Sequence, residues 1–440
     1  MNPTRRQFVS TAGATAVYSL AAAPRKAKGA PGSPNSQIPV AFIGSGIRGT
    51  QLIDDFKAVD GLRFPAVCDL YDGCLARAKE QIAPDIAVTK DYRAILDRKD
   101  VDAVVIAVPD HLHKRLVLDA LSAGKHVYIE KPMTWSLEEG PELIAAEKAS
   151  GKVLQVGSQH KTSAMAAKAR ELVQSGALGK VTMVRMSNHR NNAQGAWKYE
   201  IPPDASPSTV DWKRFLGDRP SRAFDPRVFF QWRCWWEFSG GVATDLFVHL
   251  LTWLHEVMNV KAPVAAASHG GLHFWKDGRD VPDVLNSVFE YEEGFIADMY
   301  VHLANSFPAP SHVIMGTKGS LVDAGNKLIF HDEAVDSGVQ AYGTLQWPKE
   351  ARTNYFTAKG WTPDGRPKTV SKRKEPDEIV VPRGLSHAGV FIQSIRDRKP
   401  SRENATEGHL AAGAAHVANE SYRRGRKLKW DWKANTVSEA

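Results

Sequence analysis

Ile38-Pro39-Val40-Ala41-Phe42-Ile43-Gly44-Ser45-Gly46-Ile47-Arg48-Gly49 is the stretch whose reading decides the fold. Its first six residues are an apolar, partly β-branched run. The glycines follow directly, and Leu52, Ile53 and Phe56 then recur at helical spacing. Strand, glycine turn and helix in that order predict a dinucleotide-binding unit. Gly44 permits the tight turn, Gly46 lets backbone approach a pyrophosphate, and Gly49 allows close helix–strand packing, with free N–H groups at the helix start facing the anion. Phe64 to Cys68 reads as a second strand ending in Asp69. An acid there, about 20 residues past the turn, binds a ribose 2′-hydroxyl and repels a 2′-phosphate. NAD is therefore favoured over NADP, with Arg48 the one residue that points the other way.

Further along, Val101 to Val108 is the near-continuous apolar run of a parallel strand buried on both faces. It stops at Pro109-Asp110-His111-Leu112-His113. A helix over Lys114–Ser122 and a strand over Lys125–Ile129 follow, the strand ending in Glu130-Lys131-Pro132. A helix over Glu142–Ala149 and a last strand over Val153–Val156 complete a doubly wound parallel sheet. Ligands on such sheets sit beyond the strand carboxyl ends. Gly44, Asp69, Pro109 and Lys131 all fall at such ends, so one crevice collects them.

At 440 residues the chain is too long for one ordinary core and predicts two domains, and its 43% hydrophobic and 24% charged residues exclude global disorder. Arg5, Arg6, Arg25, Lys26 and Lys28, with no acidic residue among residues 1–37, account for five units of the formal net charge of +8, and the remaining +3 leaves no case for a nucleic-acid partner. Cys68, Cys74 and Cys234 form neither a disulfide framework nor a metal-ligand cluster. Residues 1–37 read as an address followed by a linker. Thr4-Arg5-Arg6-Gln7-Phe8-Val9 precedes a weakly apolar stretch to Ala23 that is too short and polar to anchor in a bilayer. The segment resembles a twin-arginine export signal, which implies a periplasmic or otherwise exported protein.

The chain as a whole resembles the Gfo/Idh/MocA superfamily of glucose–fructose oxidoreductase and inositol dehydrogenase. Four stretches carry the resemblance: Gly44–Gly49, Pro109…His113, Glu130-Lys131-Pro132, and Gly240-Gly241-Val242-Ala243-Thr244-Asp245-Leu246-Phe247-Val248-His249. A fifth, weaker match is the terminal pattern from His387 through Gly408-His409 to Asp431. The resemblance implies an NAD(P)-binding Rossmann domain over residues 38–160 and an α/β domain with a large open, mainly antiparallel sheet over 161–432. A tail over 433–440 completes the division. It also implies a homo-oligomer, a dimer or tetramer. Val181–Ser187, Pro263–Ser268, Leu285–Tyr291 and Phe295–Leu303 have the alternating or β-branched character of strands in that sheet.

Asp245 and His249 lie four residues apart in an apolar stretch from Val242 to Val257, a spacing that puts both on one face of an α-helix. An imidazole suits proton transfer near neutrality. By analogy with the family, His249 exchanges the hydroxyl proton, Asp245 contacts the substrate or orients it, and Lys131 hydrogen-bonds the reacting oxygen. The resemblance implies cofactor contacts from Gly44, Ser45, Gly46, Ile47, Arg48, Gly49, Asp69, Pro109, His113, Glu130 and Lys131. Aromatic faces stack on sugar C–H surfaces, and His189, Arg190, Trp197 and Arg233 are the candidates for substrate contact. No metal is expected, since Asp245 and His249 lack further ligands. The bland alternatives are a structural Asp–His pair, a solvated Lys131, and aromatics that fill the domain interface.

The expected activity is hydride transfer on a sugar or polyol with tightly bound NAD, because an exported protein meets no free nicotinamide pool. A redox-neutral glycosidase or epimerase working through a transient keto-sugar satisfies the same demand. A non-catalytic sugar-binding protein is the alternative from another class.

Overall fold

The computed structural model describes residues 37–307, 312–333, 342–366 and 375–440. The twin-arginine segment therefore lies outside the described residues, as does part of the polar excursion expected between Trp347 and Gly384.

The first half is built on seven parallel strands: β1 (Ile38–Ile43), β2 (Leu62–Arg63), β3 (Ala66–Cys68), β4 (Ala87–Thr89), β5 (Ala103–Ile106), β6 (His126–Ile129) and β7 (Leu154–Val156). The order β4-β3-β1-β5-β6-β7, with β2 beside β1, is the arrangement of a dinucleotide-binding fold. Val40–Phe42, Ala103–Ile106 and Val127–Ile129 are buried, as a sheet covered on both faces requires. The order reverses between β1 and β5, so the crevice opens beyond Gly44 and Ala107.

One covering helix comes from far along the chain. His387–Asp397 returns to the first sheet, and its Phe391 ring lies 6.1 Å from Phe56 and 5.8 Å from Tyr128. The core of the nucleotide-binding half thus extends beyond the segment 38–160 that periodicity alone assigns to it.

The second half is a ten-stranded sheet ordered β15-β14-β13-β12-β8-β11-β10-β9-β16-β17. These strands are β8 (Val181–His189), β9 (Ala265–Gly271), β10 (Val284–Glu290), β11 (Ile296–His302), β12 (His312–Gly316), β13 (Gly319–Asp323), β14 (Leu328–Asp332), β15 (Asp377–Ile379), β16 (Leu428–Asp431) and β17 (Thr436–Glu439). All neighbouring pairs are antiparallel except β8 with β11. The last residues are an edge strand rather than a tail, with Trp430 opposite Val437. The helices Val248–Met258 and Ala405–Arg424 cover one face of this sheet and share a single apolar core with it. No helix among the described residues is long and apolar enough to cross a membrane.

Burial holds many histidines neutral. His113, His387 and His416 are each pushed down to about 4 and His255 to about 3, from an ordinary value of 6.5, chiefly by desolvation. A histidine depressed in the folded state binds fewer protons there than in the unfolded chain. Its stabilising effect is present above 6.5 and is lost as pH falls toward 4. Buried carboxyls such as Asp110 and Glu403, pushed up by desolvation, act in the opposite sense and blunt the loss. The melting temperature is expected to fall as pH is lowered from about 6.5 to about 4, and a flat scanning-calorimetry profile across that window contradicts this.

Candidate active site

One cleft of about 1230 Å³ runs from the carboxyl end of β1 across the crevice to the second sheet. At its first end the glycine turn is shaped by close approach. Gly44 has φ +92°, and a Cβ there would lie 2.2 Å from the Ala107 carbonyl oxygen. A Cβ on Gly49 would lie 2.2 Å from the Gly44 oxygen, so this residue packs the helix Ile47–Lys57 onto the turn and does not face the cleft. At Gly46 a Cβ would meet nothing within 4 Å and would point into open space. That open cradle at a helix start, with Ile47 exposed beside it, fits a dinucleotide pyrophosphate.

Asp69 closes the turn from below. Its Oδ2 accepts the Ser45 N–H at 2.7 Å and the Ser45 hydroxyl at 3.3 Å, while Oδ1 accepts the Tyr71 N–H at 2.9 Å. Asp69 lines the cleft, whereas Ser45 is buried under it and serves Asp69 rather than a ligand. Arg48 Nε donates to Glu130 Oε1 at 2.8 Å, which engages the guanidinium that on sequence grounds argued for a 2′-phosphate. His113 does not reach the cleft. It is fully buried with its ring nitrogens 2.8 Å from the Pro132 carbonyl and 2.9 Å from the Val108 carbonyl, and so fixes the loop that carries Lys131.

The middle of the cleft is organised by Asp245. Lys131 Nζ donates to Asp245 Oδ1 and to its backbone oxygen, both at 2.9 Å. Arg233 Nε donates to Oδ1 at 3.1 Å and Trp197 Nε1 to Oδ2 at 3.1 Å. Burial disfavours the Asp245 anion, but Lys131 and Arg233 outweigh it and hold the carboxyl far below the usual range. Asp245 therefore makes no hydrogen bond to His249; its oxygens are spent on Lys131, Arg233 and Trp197.

The expected α-helix begins differently. Ala243–Phe247 is a π-turn that passes into the α-helix at Val248–Met258. Wide turns of this kind are frequent at functional sites, and this one still delivers both Asp245 and His249 to the cleft. The His249 Nδ1 is buried without a hydrogen-bond partner among the described residues. Desolvation, then Lys131 and the neighbouring His160, keep its imidazole well below 6.5 and hence neutral.

Of the four substrate candidates, Arg190 and Arg233 line the cleft. Trp197 does not: it is fully buried at a left-handed turn (φ 63°) and positions Asp245. His189 also stays out, its ring 5.0 Å from that of Tyr300. Neighbouring residues of a strand project to opposite faces, so 189 and 190 were never both available. Asp110, Tyr199 and Trp232 also line the cleft, none of them among the four candidates, although Tyr199 and Trp232 belong to the aromatic-rich stretch between Asn188 and Phe238. Asp110 sits inside the quoted Pro109…His113 motif, and the crevice argument applied to it would have found it. Desolvation pushes the Asp110 carboxyl well up, opposite to Asp245.

The segment between Tyr199 and Arg233 roofs the nucleotide end. Asp211 N–H donates to the Leu70 oxygen at 2.8 Å and Asp72 N–H to the Thr209 oxygen at 3.0 Å. Tyr71 bonds Asp204, His111 Nε2 reaches the Phe215 oxygen at 2.7 Å, and Arg214 pairs with Asp91 at 3.1 Å. Much of the aromatic content of this segment, Phe215 above all, forms a small core with Phe238 against Leu70. No cluster of three or more metal-ligating side chains occurs among the described residues.

A parallel sheet with a glycine turn, an acid ending its second aligned strand and a lysine–carboxylate pair across the crevice define a two-domain dinucleotide-binding protein. The NAD-binding Rossmann fold model of the GFO_IDH_MocA oxidoreductase family matches residues 38–158, and two models of its C-terminal domain match 162–264 and 214–322. The chain belongs to the Gfo/Idh/MocA oxidoreductase family. Among curated relatives, inositol 2-dehydrogenase of Rhodococcus erythropolis is 35% identical over 192 residues, which are 42% of this chain and 54% of the relative. A glycosyl hydrolase family 109 protein of Shewanella is 30% identical over 164 residues, 32% of this chain and 36% of the relative. The chain spans about half the length of the first two curated relatives it matches, 54% and 49%. A solved structure of levoglucosan dehydrogenase with NADH and levoglucosan superposes with a TM-score of 0.62 at 19% identity, covering 89% of this chain and 99% of that one.

Lys131→Met removes a donor aimed at the cleft and is expected to lower kcat about 10²- to 10³-fold, as loss of an oxyanion-stabilising donor does. Trp197→Phe is expected to cost about 1–3 kcal/mol in denaturant stability by leaving a buried carboxylate oxygen short of a donor. Wild-type stability in the latter variant, or wild-type kcat in the former, contradicts the site as described.

Proposed function

We propose that this chain is a nicotinamide-dependent oxidoreductase that acts on a sugar or sugar-like polyol by hydride transfer, with NAD held through turnover. The observation that carries this reading is that one cleft is lined by Gly44, Gly46 and Asp69 at one end and by Lys131, Asp245 and His249 at the other. NAD, held along Gly44–Arg48 and Asp69, would supply the hydride acceptor.

The protein's own part is proton handling and placement. A lysine ammonium has three N–H donors. Lys131 spends two on Asp245, so the third is free to bond the substrate oxygen and to stabilise charge that develops on it. Neutral His249 has a nitrogen lone pair to take the hydroxyl proton and to return it in the reverse direction. Asp245 holds Lys131 in place, and desolvation pushes the Asp110 carboxyl well up, toward the protonated form that donates a hydrogen bond.

A second reading, an NAD-dependent glycoside hydrolase or epimerase working through a transient keto-sugar, is favoured by the roof over the nucleotide end. A cofactor covered by the Asp204–Arg214 segment suits a cycle in which the nicotinamide is reduced and reoxidised without leaving. The family 109 glycosyl hydrolase relatives fit that cycle, as does the export route proposed for residues 1–37.

Mass spectrometry of nucleotide released from denatured, natively purified protein tests both readings. Near-stoichiometric NAD(H) is expected, and the paired change Asp204→Ala, Arg214→Ala should speed its loss on gel filtration. Protein that is empty and binds no added nicotinamide nucleotide refutes the enzymatic reading; reversible binding of added NAD refutes retention alone.

A further inference from the structure

The reacting end of the cleft carries more positive charge than its own carboxylates balance. Asp245 pairs with both Lys131 and Arg233. Arg190 is a third cation on the same wall, and it forms no ion pair among the described residues. Its one recorded side-chain bond is long, 3.5 Å from Nη1 to the Gly195 oxygen. Glu200 also lines the cleft, but it is an exposed rim residue with no recorded ion pair of its own.

Arg190 is nevertheless built in with care. Its backbone is pinned at the end of β8: its N–H donates to the His302 oxygen at 2.9 Å, and its own oxygen accepts the Asn305 N–H at 3.2 Å. Its stem passes over Gly195 so closely that a Cβ there would lie 2.9 Å from Arg190 Cβ and 3.1 Å from Cδ. Any larger residue at 195 would displace the arginine. Its charge is felt by Asp245, His249 and Tyr199 alike, which places the guanidinium beside the reacting groups rather than at the nucleotide end. A half-buried guanidinium with no carboxylate partner keeps N–H donors available to a ligand, and its planar fork matches a carboxylate in two parallel hydrogen bonds.

We propose that the substrate of this site is an acidic sugar, a uronic or similar carboxylated sugar whose carboxylate is taken by Arg190. This rests on the reading that the cleft's reacting end holds a sugar. The carboxylate then completes the charge balance of the wall and fixes which hydroxyl faces Lys131 and His249. Neutral sugars of the same ring configuration leave Arg190 unpaired and bind more weakly.

Isothermal titration of the protein loaded with NADH, which cannot accept a hydride, with galacturonate, galactose and galactose 6-sulfate tests the idea, together with the corresponding gluco series. Tighter binding of the uronate than of the neutral sugar is expected. Arg190→Met should weaken uronate binding by about 10- to 100-fold, the worth of a charged hydrogen bond, and erase the preference for the uronate over the neutral sugar. Arg190→Lys should restore part of it, and the melting temperatures of both variants report whether they fold. Preference for the sulfated sugar assigns Arg190 to a tetrahedral anion and overturns the carboxylate proposal. Equal affinity for all three sugars, or an Arg190→Met variant that loses NAD instead of uronate, overturns it as well. Because binding is measured without turnover, a uronate that binds tightly and is never oxidised would count against the oxidoreductase reading while leaving this one standing.

Discussion

A single buried carboxylate holds the two halves of this protein in working register. Asp245 belongs to the second domain, as do Arg233 and Trp197, but Lys131 arrives on the loop after β6 of the first. Burying that anion is tolerable because each oxygen is met by a donor and two of its partners are cations. Removing any one of them leaves charge in a low-dielectric wall. This contact fixes where Lys131 meets the second domain, beside the close packing of Ala405 and Gly408 on the first domain's core. The backbone bond from Val156 N–H to the Glu403 oxygen at 2.8 Å and the bond from Trp135 Nε1 to the Trp236 oxygen at 3.1 Å reinforce the joint.

From that joint the rest of the site follows. Holding Lys131 by Asp245 leaves His249 without a carboxylate partner, so burial keeps it neutral and able to accept a proton. Placing Asp110 beside the same charges but deeper in apolar surroundings drives it the other way. The roof between Tyr199 and Arg233 adds a third constraint. It closes over the glycine-turn end while contributing Arg233 to the carboxylate and Tyr199 and Trp232 to the cleft lining. One segment thus couples cover over the cofactor to the shape of the substrate cavity.

Much of this was legible in the amino-acid order because it depends on local rules. Apolar patterning located five of the seven parallel strands, missing the short β2 and β4, and the glycines located the turn, since only a residue without Cβ fits against Ala107. The strand-end argument gathered Gly44, Asp69, Pro109 and Lys131 into one crevice, and all four line it. What escaped depends on long-range packing. Nothing local in His387–Asp397 says that it returns to the first sheet, and nothing in Thr436–Glu439 says that it pairs with β16. Trp197 was taken for a sugar platform on its chemistry, but its ring is used to donate to Asp245. Ser45, Gly49 and His113 lie in the right motifs and support ligand-facing neighbours from underneath. The π-turn at Ala243–Phe247 has no composition signal that separates it from an α-helix.

The most direct test of the linking role of Asp245 is a double-mutant cycle on the unfolding free energy of the nucleotide-loaded protein. It compares Lys131→Met, Asp245→Asn and the double variant. If the Lys131–Asp245 contact joins the domains, the two changes will be strongly non-additive, with a coupling of about 1–3 kcal/mol. Additive losses, within a few tenths of a kcal/mol, would mean that the two side chains act independently and that the joint lies elsewhere.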